Sequence, residues 1–312
     1  MSSLKAKQDV LSAIGNTPLV RLNKVARRAA ASVYMKLEYF NPTGSYKDRM
    51  ALAMIEGAER DGLLKKGDSV LEYTGGSTGS SLAFVCAVKG YRLRVVTSDA
   101  FSDEKLATMR AFGAELTIVP SAAGKTTPEI IPRMMKVAEE MGAEPQTYRT
   151  NQFYNRYMLK GYNALGEEIL GQLAGRVDAF VASFGTAGCS MGVSEVLKAK
   201  DSGTRVCLVE PSESPVVSKG SKGTHDIEGI GVGFVPPLLR KELYDEILTV
   251  STREAEEMAR RLAREEGIFA GSSSGANAVA AIKVGERLGA GKNVVTVAVD
   301  SGLKYLSTGL YR

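Results

Sequence analysis

The stretch Asn41-Pro42-Thr43-Gly44-Ser45-Tyr46-Lys47-Asp48-Arg49 reads as a turn leading into a helix, with Lys47 in the first helical turn. The amino end of a helix carries partial positive charge, so a lysine there is mildly penalised and its amine is pushed toward the neutral form. A neutral amine is what Schiff-base chemistry needs. Taken alone, a solvated surface lysine is the plainer reading. Residues 72 to 81, EYTGGSTGSS, crowd glycines and hydroxyls into one turn just after the apolar run Ser69-Val70-Leu71. Ser183-Phe184-Gly185-Thr186-Ala187-Gly188-Cys189-Ser190-Met191-Gly192 follows a strand-like run and precedes a helical one. Its small residues let backbone N–H groups converge at a helix start, which suits a phosphate; a tight turn with no ligand explains it equally well. Gly271-Ser272-Ser273-Ser274-Gly275-Ala276 lies between two helical patterns, and one of its hydroxyls is expected to cap the second helix. Gln152-Phe153, in TNQFYN, offers an amide that either meets a ligand or is paired internally.

Several other chemistries are set aside by the inventory. The only histidine is His225, so there is no two-histidine metal site, and any histidine triad would have to use that one ring. Cys86, Cys189 and Cys207 are far apart with no CxxC pair, against a disulfide scaffold or a zinc knuckle. No metal is expected. The net charge of +5 is spread along the chain, a weak case for nucleic acid. No apolar run approaches the roughly 20 residues of a membrane span, and the N-terminus lacks an apolar signal core. A cytoplasmic address is expected, with no membrane and no nucleic-acid partner. Neither GxGxxG nor a P-loop is present; at Gly124-Lys125-Thr126, Val119 stands where the earlier glycine would be needed.

The elements that must position these residues alternate. Helical spacing covers 45–60, 80–88, 103–112, 127–141, 191–199, 253–266 and 275–288, and strand-like runs cover 69–73, 93–97, 114–119, 179–183, 205–210 and 293–299. The region 148–155 looks like a crossover between two such units. Alternation predicts an α/β fold with parallel sheets covered on both faces. Nearly every strand ends in a Gly/Ser/Thr-rich turn, and ligands of open α/β sheets bind at those carboxyl-end turns.

Taken in order, the motifs resemble those of fold-type II pyridoxal 5'-phosphate (PLP) enzymes, specifically the cysteine synthase (O-acetylserine sulfhydrylase) and cystathionine β-synthase family. The resemblance starts at Ile14-Gly15-Asn16-Thr17-Pro18-Leu19 and passes NPTGSYKDR, EYTGGSTG, GTAGCSMG, HDIEGIGVGF (residues 225 to 234) and GSSSGA. It closes on Asp300-Ser301-Gly302 with Tyr305-Leu306-Ser307-Thr308. It implies the tryptophan synthase β-like architecture: two domains, each with a central mostly parallel sheet flanked by helices. The smaller, 44–151, would carry Lys47 and a substrate-carboxylate loop; the larger, 1–43 plus 152–312, would carry the phosphate loop and Ser273. Lys47 matches the lysine that binds PLP and later moves the α-proton. Gly185, Thr186, Ala187, Gly188 and Cys189 match the phosphate loop, and Ser273 matches the partner of the pyridine nitrogen. Thr74, Gly75, Ser77 and Thr78 match the loop that grips the substrate carboxylate, with Gln152 as a further contact. A neutral serine beside the pyridine makes the ring a weaker electron sink than an aspartate would, favouring loss of a β-group over transamination.

The chain departs from the family's pattern in places. Thr-Gly-Gly-Ser-Thr-Gly replaces Thr-Ser-Gly-Asn-Thr-Gly, so Ser77 stands where an asparagine meets the cofactor's 3′-oxygen and Gly75 lacks a hydroxyl. Cys189, a weak donor, stands where a threonine usually donates to phosphate. NRYMLKGYNALGEEI follows Gln152-Phe153 in place of a Pro/Asn/His/Thr-rich run, and Glu228 replaces a glutamine. The expectation is β-replacement on an O-activated serine or a similar amino acid through an aminoacrylate, with a sulfide or thiol adding. The alternatives are β-elimination, of the cysteine desulfhydrase or serine/threonine dehydratase type, and a PLP-binding scaffold without turnover. The resemblance also implies a homodimer and closure of a mobile segment, 82–120, on substrate.

Overall fold

Apolar, β-branched runs separated by helical spacing give a chain that alternates strand and helix over most of its length. The computed structural model describes residues 6–27, 29–121 and 129–312. In chain order the elements are β1 (Leu19–Arg21), β2 (Ser32–Leu37), α1 (Lys47–Arg60), β3 (Ser69–Tyr73), α2 (Ser77–Lys89), β4 (Arg92–Ser98), α3 (Asp103–Ala111) and β5 (Glu115–Val119). There follow α4 (Ile130–Gly142), β6 (Thr147–Arg149), α5 (Tyr157–Gln172), β7 (Ala179–Ser183), α6 (Gly188–Lys200), β8 (Arg205–Pro211) and α7 (Val216–Lys219). The last are β9 (Glu246–Val250), α8 (Thr252–Arg261), α9 (Ser272–Leu288) and β10 (Asn293–Ala298). Gly124-Lys125-Thr126 and the expected start of the α4 helix at Thr127 lie outside the described residues.

Two sheets result. The larger has six strands in the order β1-β2-β10-β7-β8-β9, and the smaller has four in the order β5-β4-β3-β6. All pairings are parallel except β1 with β2. Every residue of β7 is buried, as a strand covered on both faces requires. The strand orders locate two switch points. In the large sheet the chain runs outward from β7 through β8 to β9, then returns to place β10 on the other side of β7. In the small sheet it runs from β3 through β4 to β5, then returns to place β6 on the other side of β3. Crevices at such reversals are where open α/β sheets bind ligands.

A core joining Met50, Met54, Leu82, Met158, Tyr162, Phe180 and Val295 draws α1, α2, α5 and both sheets' neighbourhoods into one apolar cluster. Helix α5 is absent from the sequence expectation, which saw only a crossover near 148–155. Its Gly161 and Gly166 depress helix propensity, yet they permit its packing. A Cβ on Gly161 would press into the carbonyl of Arg49, and one on Gly166 would lie 2.9 Å from Val196 Cβ. Strands β1, β2, β6 and β9 are also unforeseen; β6 and β9 are mostly half-buried, so their patterns are diluted.

Candidate active site

Three helices begin earlier than their sequence patterns suggest, and each time the shift absorbs a motif. Helix α2 starts at Ser77 rather than Ser80, α6 at Gly188 rather than Met191, and α9 at Ser272 rather than Gly275. The glycine- and serine-rich stretches are therefore partly first helical turns. In none of these three helices, nor in α1, does the N-cap residue's own side chain cap the helix, though Ser45 Oγ accepts from Lys47 N at 3.2 Å and Thr186 Oγ1 from Gly188 N at 3.3 Å. This corrects the expectation that a serine of GSSSGA caps α9: the N-cap residue is Gly271. Ser274 Oγ instead accepts from the N–H of Val299 at 2.8 Å. By contrast, α8 carries a full capping box between Ser251 and Glu254. First-turn N–H groups have no partner within their own helix, so the starts of α2, α6 and α9 present donors and positive potential where an anion can sit. Ala187, just before α6, adopts a left-handed backbone (φ 64°), and a Cβ on Gly185 would collide with the carbonyl of Gly229.

Segment 299–302, following β10, gathers two of these starts. Tyr46 donates its N–H to Val299 O at 3.0 Å, and Ser301 donates to Gly44 O at 2.9 Å. On the other side Gly271 donates to Asp300 O at 3.2 Å, and Ala270 bridges Ser301. The starts of α1 and α9 are thus strapped to one short piece of chain. Asn277 fastens α9 to the sheet: its Oδ1 accepts from Ser183 N at 2.7 Å and its Nδ2 donates to Val297 O at 2.9 Å. Ser273 is buried in the first turn of α9.

Lys47 opens α1, as its spacing predicts. Burial pulls its amine down to about 8, against smaller opposing effects from Cys189, Asp300 and Glu72. Those neighbours place Lys47 between the 185–189 loop, the end of β10 and the end of β3. Burial raises the Cys189 thiol, leaving it neutral near pH 7. Glu72 is buried and pushed up to about 7, although Thr150 and the N–H groups of Gln152 and Tyr73 oppose the shift.

At the small sheet's switch point Thr78 Oγ1 donates to Gln152 Oε1 at 2.9 Å, and Gln152 Nε2 donates to Tyr73 O at 3.3 Å. Gln152 N donates to Glu72 Oε2 at 2.9 Å. Two residues far apart in sequence are thereby brought together, and Gln152 is the internally paired amide that its burial suggests. Thr74 Oγ1 accepts from Gly76 N at 3.2 Å. Gly75 has no room for a side chain, because a Cβ there would lie within the Phe101 ring. Ser77 Oγ donates to Asp300 Oδ2 at 3.2 Å, spanning the two sheets.

Asp300 belongs to the closing motif Asp300-Ser301-Gly302, from which the sequence alone assigns it no role. It is 4% exposed, and Tyr305 OH also donates to its Oδ2, at 2.9 Å. Lys105 lies 4.5 Å from the Tyr305 ring centre and pairs with Glu228. The signal that finds Asp300 is the one that found the other loops: a polar residue at the carboxyl end of a strand beside a switch point.

With this geometry in view, comparison with known proteins is specific. Residues 10–300 match the family of pyridoxal-phosphate dependent enzymes. A cysteine synthase of Staphylococcus aureus is 44% identical over 309 residues, which cover 98% of each chain. Among solved structures, the cysteine synthase of Entamoeba histolytica superposes with a TM-score of 0.93 at 37% identity, covering 100% of this chain and 92% of that one. A hydrogen sulfide-producing enzyme from Fusobacterium nucleatum gives 0.89 at 38% identity, covering 96% and 100%.

Proposed function

The chain belongs to the pyridoxal-phosphate dependent enzymes, within the cysteine synthase family, and from that premise we propose that it replaces the β-group of an O-activated serine by a sulfide or thiol. Its cofactor is PLP and its reaction class is β-replacement. The observation that carries the reading to particular residues is Lys47, an amine held near 8 at a helix start between both switch points.

The chain's own groups fit the cofactor. The start of α6, with Gly185, Thr186, Ala187, Gly188 and Cys189 before and within its first turn, suits a phosphate. Ser273, at the start of α9, suits the pyridine nitrogen. When bound, PLP supplies the electron sink for bond breaking at the α-carbon. The protein supplies the rest. Lys47 holds the cofactor and, as an amine that gains and loses a proton near neutral pH, moves the α-proton. The uncapped start of α2, with Thr74, Gly75, Ser77 and Thr78, orients the substrate carboxylate, and Gln152 braces Thr78. Burial of Ser273 and Asp300 excludes water.

Purified protein is expected to absorb in the visible, and Lys47→Ala to lose both that band and all turnover; a colourless wild type that takes up no PLP refutes the reading. β-Elimination is favoured as a second reading by the likeness to the hydrogen sulfide-producing enzyme and by the missing hydroxyl at Gly75. Keto-acid and ammonia release at full rate without sulfide would make elimination the main activity.

The two-sheet arrangement supports a division into 44–151 and 1–43 plus 152–312, with 82–120 moving on substrate binding; limited proteolysis with and without substrate tests it. We also propose a homodimer, which sedimentation at micromolar concentration checks, and a cytoplasmic address. All three cysteines are free and buried, which suits a reducing compartment.

A further inference from the structure

Asp300 is a buried carboxylate of the site, and its two oxygens are used unequally. Both protein donors, Ser77 Oγ at 3.2 Å and Tyr305 OH at 2.9 Å, go to Oδ2. Oδ1 is buried and has no hydrogen-bond partner among the described residues. A buried carboxylate oxygen without a donor is costly, so an oxygen kept in that condition beside a binding site is one for which the ligand brings the donor. Room for that donor depends on Gly271, where a Cβ would lie 2.6 Å from Oδ1. The backbone fixes the residue itself: Asp300 pairs with Ser45, two residues before Lys47, and accepts at its carbonyl from Gly271 N. Its carboxyl is therefore held among the starts of α1, α2 and α9.

We propose that Asp300 is a specificity-determining residue: Oδ2 fixes the Ser77 and Tyr305 hydroxyls, and Oδ1 accepts a hydrogen bond from a donor on the β-substituent of the bound amino acid. The ligand class is an amino acid whose β-substituent carries an O–H, N–H or S–H group; the free hydroxyl of serine does and a simple O-acyl ester does not, so among O-activated serines the inference selects those whose activating group keeps a donor. This rests on the PLP reading of the site and deepens it. A site built to pair with a substrate hydroxyl rejects the analogue that lacks it, because the buried acceptor is then left unpaired. The reach of Asp300 to Ser77 also means that the substrate loop carries its acceptor on a residue of the other sheet.

The test is binding to the PLP-loaded protein, read by perturbation of its visible band. L-Serine and L-alanine differ only in the β-hydroxyl. The wild type is expected to bind serine at least tenfold more tightly than alanine, and Asp300→Asn to bring the two affinities within about threefold of each other. The substitution exchanges one acceptor oxygen for an amide N–H, which cannot accept from the β-hydroxyl, so the loss falls on serine. Tyr305→Phe, which removes one of the two donors to Oδ2, is expected to reduce the same ratio by a smaller factor. Equal affinity of the wild type for serine and alanine overturns the proposal even if neither variant folds. So does an Asp300→Asn protein that weakens both ligands equally. A wild type with no visible band is a different failure, that of the PLP reading itself.

Discussion

The start of α1 rests on a buried ionic cluster, and Glu168→Gln tests how firmly. Glu168 on α5 accepts from Arg49 through both oxygens at 2.8 Å, and from Lys36 at 2.7 Å. Arg49 also reaches Glu38 at 2.7 Å. Lys36 is fully buried, and burial lowers its amine against the opposing pull of Glu168. Burial alone would raise the Glu168 carboxyl, but Arg49, Lys36 and the N–H of Asn16 hold it at about 2. Against an ordinary glutamate near 4.5, that difference corresponds to roughly 3 kcal/mol. Removing one partner of a buried ion pair costs a similar amount, about 3–5 kcal/mol. Urea unfolding at pH 7 is therefore expected to show Glu168→Gln less stable by about 3 kcal/mol. The folded-state value is depressed, so the carboxylate's contribution is complete above about 4.5 and is lost as pH falls toward 2. At pH 3.5 the gap between wild type and variant should be narrower by about 1.4 kcal/mol. A gap under 1 kcal/mol at pH 7, or one that stays constant down to pH 3.5, would refute the reasoning.

Two further outcomes are expected. For apoprotein mixed with PLP, the rate at which the visible band appears should rise with pH through a midpoint near 8, because the neutral amine of Lys47 is the reacting form and its value is lowered to about 8; a midpoint near the ordinary lysine value refutes this. Gly75→Ser restores a hydroxyl found in the family but drives a Cβ into Phe101. It should destabilise the protein by about 1–3 kcal/mol and raise KM for the amino acid, with Phe101→Ala in the same chain recovering most of the loss; urea unfolding and steady-state kinetics read both.

Legibility in the sequence followed burial and continuity. Strands β3 and β7 have the bounds their patterns give, because each is an unbroken, nearly fully buried run. Helix bodies were equally legible, α5 and the short α7 excepted. The starts of α2, α6 and α9 were not, since glycine and serine signal a turn whether or not the backbone has already become helical. Helix α5 was hidden because a glycine that weakens a helix in isolation is the same glycine that admits Arg49's carbonyl when helices pack. The pairings Ser77–Asp300 and Thr78–Gln152 span 223 and 74 residues, and no local pattern encodes them. Lys47 lies in the first turn of α1, where the Asn-Pro-Thr-Gly turn before it predicts. The larger effect on its amine, burial, needed the whole fold.

The departures in the substrate loop read differently once their neighbours are known. In sequence, a missing hydroxyl at Gly75 and a missing amide at Ser77 are two losses. In the fold, the volume beside Gly75 is filled by Phe101 from the segment before α3. The shorter hydroxyl of Ser77 turns to Asp300, which reaches in from the end of β10. Each local loss is thus matched by a residue supplied from elsewhere, one apolar and one acidic. A loop that had merely decayed would leave a void or an unsatisfied hydroxyl at these places, and cores tolerate neither without cost. On the proposed reading of the site, the recognising groups pass from the loop itself to Phe101 and Asp300. Substrate choice should accordingly respond to changes at those two positions more than to restoring the loop residues one at a time.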